Sequence, residues 1–206
     1  MDKSVLQIKI EVDILIVEDS RTQTEKLKYL LEKNFYSVVA AENGQQALAV
    51  LEKYIPAIVI SDICMPDMDG YELCHRVKAQ NRKVKIPVIL ITSLSNPEDV
   101  MQVLECGADI FITKPYDDDF LLSNIQQIIA NRKLYQAERV RIGVEIMFAG
   151  KRRIITANQQ QVLTLLISTF EAAVIRNREL LEIQEELQTI KDKPEDLNEK
   201  QIMELK

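Results

Sequence analysis

Over the first 130 or so residues, short apolar runs alternate with longer stretches of helical periodicity. The runs Asp13–Glu18 (DILIVE), Ser37–Ala41 (SVVAA), Ala57–Asp62 (AIVISD), Pro87–Thr92 (PVILIT) and Ile110–Thr113 (IFIT) read as strands. Three of them are almost continuously apolar, as expected when helices cover both faces of a parallel sheet. Helical patterns fill the intervals at Arg21–Glu32, Gly44–Lys53, Gly70–Gln80, Asn96–Cys106 and from Asp118 onward. Ser95-Asn96-Pro97 places a polar cap ahead of a proline, and Asp117-Asp118-Asp119 puts negative charge at a helix N-terminus. Gly107 follows Cys106 where a left-handed stop is wanted. Five βα units of this length predict a doubly wound α/β domain with a five-stranded parallel sheet.

The last helix of that domain is expected to run on to about Ile142, where Gly143 breaks it. Val144–Phe148 (VEIMF) and Arg152–Thr156 (RRIIT), around Ala149-Gly150-Lys151, predict a β-hairpin too short to stand without a surface to pack on. A long helix then spans residues 158–191, and Pro194 closes it. Leu163, Leu166, Phe170, Ala173, Asn177, Leu180, Gln184 and Leu187 recur at alternating steps of three and four. That is a heptad seam with Asn177 at one core position. It fits a dimeric coiled coil through residues 158–190, in which a buried Asn fixes register. It also fits an amphipathic helix folded back on its own domain. The expected division is a domain over residues 11–135 and a helical signalling extension over 136–206.

Composition narrows the class. Hydrophobic residues are 47 % and charged residues 28 % of the 206, so a real core is affordable in a globular chain. The net charge of -6 disfavours non-specific attraction to DNA or anionic membrane. No apolar run approaches a membrane span, and residues 1–11 lack the apolar block of a signal peptide. Cys64, Cys74 and Cys106 have no metal-ligand spacing, and the odd count indicates a reducing, cytoplasmic setting.

The chemistry-bearing residues sit at strand ends. Glu18 and Asp19 follow the first strand, Asp62 ends the third, Thr92 and Ser93 end the fourth, and Lys114 follows the fifth. In an open parallel sheet all of these meet in one crevice outside the carboxyl ends of the strands. Three carboxylates brought together need a cation. Hard oxygens with open positions suit Mg²⁺, which keeps several waters and accepts phosphate oxygens. Lys114 can pair with a phosphoryl oxygen and Thr92 can donate to another. An ionised Asp needs no general base to attack phosphorus.

The segments ILIVEDS, VISDICMPDMDGYELC, VILITS and GADIFITKPY resemble the receiver domain of two-component response regulators from about Asp13 to Ile129. The resemblance implies a flavodoxin-like (CheY-like) sheet of order 2-1-3-4-5. It implies that Asp62 accepts a phosphoryl group from a histidine kinase. Asp19, Asp62 and the backbone carbonyl of Cys64 would hold Mg²⁺, with Glu18 assisting through water. Lys114 would pair with the phosphoryl group, Thr92 would turn inward to it, and Phe111 would change rotamer. Pro66 and Gly70 would shape the loop after Asp62. Cys64 and Leu94 stand where this family tunes the hydrolytic water, and neither orients water well, which implies a long-lived phosphorylated state. More faintly, FAGKRRIITANQQQVLTLLISTFEAAV resembles the hairpin and helix that follow receivers in multidomain sensor proteins.

Blander readings attach to the remaining residues. His75 reads as a surface side chain rather than a phosphotransfer group. Lys151-Arg152-Arg153 reads as a solvated turn. Carboxylates beside Cys64 should discourage its thiolate. The leading expectation is a phosphoacceptor switch that acts through partner or dimer contacts, with no enzyme of its own beyond self-phosphorylation and autodephosphorylation. The alternative is the receiver portion of a larger hybrid histidine kinase or nucleotide cyclase. A DNA-binding regulator is disfavoured because no basic helix-turn-helix pattern follows residue 143.

Overall fold

The computed structural model of the chain describes residues 11–79, 85–93, 97–130, 144–155, 157 and 159–191. The strands β1 (Glu11–Val17), β2 (Val38–Ala41), β3 (Ile55–Asp62), β4 (Val88–Thr92) and β5 (Ile110–Thr113) alternate with α1 (Arg21–Lys33), α2 (Gly44–Lys53), α3 (Gly70–Ala79), α4 (Pro97–Glu105) and α5 (Asp118–Ala130). The sheet order is β2-β1-β3-β4-β5 and every pairing is parallel. The expected doubly wound sheet is therefore present.

Alternation along the strands sorts the two faces. Ile14, Ile16, Ile58, Ile60, Ile89, Ile91, Ile110 and Ile112 form one face, packed under Leu27 and Leu31 of α1 and Leu121, Ile125 and Ile128 of α5. These eight isoleucines suit a pleated surface buried beneath helices. The other face carries Leu15, Val17, Val59, Leu90 and Phe111 against Ala47 and Leu51 of α2, Leu73 and Val77 of α3, and Val103 of α4.

Helix ends follow the local chemistry. The Asp117 side chain accepts from the amides of Asp119 and Phe120, so the first of the three acids is the cap of α5. Asn43 caps α2 through Gln46 N–H. Gly107 adopts φ 76°, the left-handed stop after α4. The segment 94–96, the continuation of α5 towards Ile142 with its break at Gly143, and Pro194 lie outside the described residues.

The extension is folded onto the domain. Strands β6 (Val144–Phe148) and β7 (Lys151–Ile155) pair antiparallel about Ala149 and Gly150, both at positive φ, the geometry of a tight two-residue hairpin turn. The hairpin packs on α4, where Arg153 Nη1 lies 3.4 Å from Glu105 Oε2. Arg152 pairs with Glu145 at 3.1 Å, so two members of the basic triplet are engaged within the protein. Helix α6 (Gln159–Lys191) then runs along β5, burying Gln161, Leu165, Ser168 and Ala172. Leu163, Leu166 and Phe170 of the heptad seam point away and are 57–70 % exposed. The folded-back reading is realised by one face of the helix, and the heptad seam lies on another, exposed face.

Gly70 shows how tightly the loop after β3 is built. A Cβ there would meet the Asp62 carbonyl oxygen and lie 2.9 Å from Ile63 Cα, both backbone atoms. Gly70→Ala should therefore shift the segment that carries Asp62 and cost about 1–3 kcal/mol of stability in denaturant unfolding. Gly44→Ala, which would meet the flexible thioether of Met68 first, should cost less.

Candidate functional site

The site forms where four strands end on the same edge. β3 terminates at Asp62, and the chain at once turns back: the Cys64 amide donates to Asp62 Oδ2 at 2.9 Å, and the Gly70 amide donates to the Ile63 carbonyl at 3.0 Å. Asp67, at φ 65°, lets the loop close. β5 delivers Lys114, whose amide donates to the Thr92 carbonyl at 2.7 Å. The Lys114 ammonium therefore stands over the ends of β1 and β3. Its Nζ lies 2.6 Å from Asp62 Oδ1, 3.2 Å from Glu18 Oε2 and 2.7 Å from Gln23 Oε1.

The sequence-derived candidates are thus distributed as follows. Glu18, Asp62 and Lys114 meet directly. Thr92 is buried at the end of β4, paired across the ladder with Thr113. Asp19 is exposed beside Glu18, and Cys64 is exposed on the loop. Phe111 is fully buried in the packed face beneath α4. Leu94 lies outside the described residues. Gln23, in the first turn of α1, was not anticipated. Four residues after Asp19 it is one polar position among several on an exposed helix, and nothing in the sequence separates it from them.

Electrostatics follow from burial. Desolvation raises the Glu18 pKa, and the Asp62 charge adds to this, while Lys114 and the Ser20 amide oppose it. Burial alone would lower the Lys114 pKa, but its hydrogen bond to Asp62 and the charges of Asp62 and Glu18 outweigh burial and raise it. Burial and then Asp62 push the Cys64 thiol up, so it is not an activated thiolate. Tyr116, behind the site, is raised to about 12 by burial and then by Asp118, Glu18 and Asp62. The single histidine, His75, is exposed on α3.

The residues present fit a magnesium ion. Among the described residues no three His, Cys, Asp or Glu side chains converge as a closed metal cage. Mg²⁺ does not require one, because it is held through one or two carboxylates and keeps its waters. Glu18 and Asp62 give the crevice one more carboxylate than the Lys114 ammonium neutralises, with Asp19 exposed beside Glu18, and carboxylate oxygens are the hard donors that ion takes.

A parallel sheet of order 2-1-3-4-5 with an acidic crevice and a lysine at its carboxyl edge defines the CheY-like class of α/β domain. The chain belongs to the response regulator receiver domain family, which it matches over residues 14–126. It is 39 % identical over 125 residues to Histidine kinase P4 of Formosa agariphila, covering 61 % of this chain and 9 % of that protein. It is 37 % identical over 115 residues to Response regulator PleD of Caulobacter vibrioides, covering 56 % of this chain and 25 % of that one. The solved receiver domain of a signal transduction histidine kinase from Syntrophus aciditrophicus is similar at 46 % identity and a TM-score of 0.57, over 64 % of this chain and 98 % of that one. The match thus spans a quarter or less of those two curated relatives and nearly all of the isolated domain.

Because the folded protein disfavours an ionised Glu18, removing that charge should stabilise it. Its folded pKa lies above the unfolded one, so the cost is felt as pH rises through the folded value and disappears on acidification. In chelator at neutral pH, Glu18→Gln should raise Tm by about 2–4 °C. The gain should shrink as pH falls through the ordinary carboxylate range.

Proposed function

We propose that the chain is a phosphoacceptor switch of a two-component system, in which Asp62 receives a phosphoryl group from a cognate histidine kinase. The observation that carries this is the 2.6 Å contact between Lys114 Nζ and Asp62 Oδ1. It places a cation where a phosphoryl oxygen on Asp62 would need one. An Asp62 oxygen attacks phosphorus, a P–O bond forms, and the P–N bond of the donor breaks with its electron pair left on the donor imidazole. Lys114 stays paired with a phosphoryl oxygen, and the Thr92 hydroxyl donates to another. Asp19, Asp62 and the Cys64 carbonyl would hold Mg²⁺, with Glu18 acting through water, and the bound ion would neutralise charge on the phosphoryl oxygens. Phe111 and Thr92 form the switch pair. With Cys64 unable to orient water well, the phosphorylated form is long-lived.

The 136–206 extension carries the output. The exposed seam on α6 supports a homodimer: the helix docks by one face and carries large apolar residues, Leu163, Leu166 and Phe170, along another that faces outward. A cytoplasmic setting belongs to the same reading. Among the described residues no helix is long and apolar enough to cross a membrane. That receivers sit within much longer relatives favours a second reading, the regulatory portion of a hybrid kinase or nucleotide cyclase. The chemistry at Asp62 is the same in both.

Incubation with acetyl phosphate and Mg²⁺ should add one phosphoryl group, and Asp62→Asn should abolish it, as read by intact mass. Lys114→Ala should slow labelling by roughly tenfold to a hundredfold. Labelling that persists in Asp62→Asn would overturn the assignment. Light scattering should give twice the 23.7 kDa chain mass. Leu166→Lys with Phe170→Lys should return it to one, and a single-chain mass for the unaltered protein would remove the dimer.

A further inference from the structure

Strand β5 is one edge of the sheet, so one row of its backbone groups has no neighbouring strand. Polar side chains of one helix reach that edge, at one strand amide and at the carbonyls just before and just after the strand. Gln161 Nε2 donates to the Ala108 carbonyl. Thr113 N–H donates to Ser168 Oγ at 2.5 Å. Arg176 Nη2 donates to the Lys114 carbonyl at 2.8 Å. Gln161, Ser168 and Arg176 are spaced by about two helical turns each, so they lie in one row along α6. Leu165 and Ala172 fall between them and are buried, and Leu165 joins the packed face that holds Phe111. Helix α6 therefore covers the edge of β5 and bonds the chain at both ends of the strand through polar side chains.

The last of these bonds bears on chemistry. Residue 114 is held at three points: its amide on the Thr92 carbonyl, its ammonium on Asp62 and Glu18, and its carbonyl on Arg176. Its neighbour Thr113 is held by Ser168, 2 % exposed. We propose that Ser168 and Arg176 are positioning residues for Lys114, so that docking of α6 pre-organises the phosphorylation site. This rests on the phosphoacceptor reading given above. Neither residue touches the reacting atoms. Each fixes backbone from which the lysine reaches Asp62, and geometry held before reaction lowers the cost of reaching it. Coupling of this kind is reciprocal: what docking does for phosphorylation, phosphorylation does for docking.

The test uses the full chain, acetyl phosphate with Mg²⁺, and amide hydrogen exchange. Arg176→Ala should slow initial labelling of Asp62 by about threefold, the scale of one net hydrogen bond. Arg176→Lys, which keeps a donor, should recover most of it. Arg178→Ala, a charge loss of the same kind two residues on, should change nothing. Ser168→Ala should speed exchange at the Thr113 amide, and beryllofluoride with Mg²⁺ should alter protection across residues 159–176. Equal labelling rates for the unaltered protein, Arg176→Ala and Ser168→Ala would overturn the proposal, as would Arg178→Ala slowing labelling as much as Arg176→Ala. If the unaltered protein is not labelled at all, the phosphoacceptor reading fails instead. The exchange of Thr113 in Ser168→Ala would then still decide whether α6 holds the strand, and unchanged exchange would overturn that part.

Discussion

The contact between the Lys114 ammonium and the Asp62 carboxylate is the interaction on which the rest of the site depends. Without a cation there, the buried Asp62 and Glu18 carboxylates would lack a shared counter-charge, and like charges so placed repel. The fold supplies the cation from 52 positions away by ending two strands of one sheet at the same edge. The parallel ladder sets the register: Asp62 pairs with Ile91, and Thr92 with Thr113, so Lys114 emerges one step beyond the sheet. Reach and direction of the lysine are thus properties of strand order.

Much of this was legible in the sequence. The apolar runs marked all five parallel strands because burial on both faces leaves little polar alternation to blur them. The acids and the lysine were legible because they stand immediately after those runs, where a sheet of this class gathers its ligands. Gln23 was not legible. Its role comes from the first turn of α1 lying above the crevice, and a polar residue on an amphipathic helix carries no mark of what it faces.

The extension shows a different limit. The heptad of Leu163, Leu166 and Phe170 dominated the pattern because large apolar residues are conspicuous. The face that docks is built from Gln161, Ser168, Ala172 and Arg176 around Leu165, a stripe of small and polar residues that amphipathicity does not register. Its spacing was available, but its meaning required the unpaired edge of β5. The hairpin likewise announced itself as strands and turn, while its support on α4 through Arg153 and Glu105 joined segments too distant to pair by inspection.

Capping of β5 by a helix also bears on how the protein avoids sticking to itself. A bare edge strand invites any extended chain to add to the sheet, and natural sheets guard such edges. Here one rim is covered by α6, and among the described residues the other rim is β2, a segment of four residues that offers little for strand-by-strand growth. Copies of the protein are thereby steered away from stacking into a continuous sheet, and any contact between them is left to side chains.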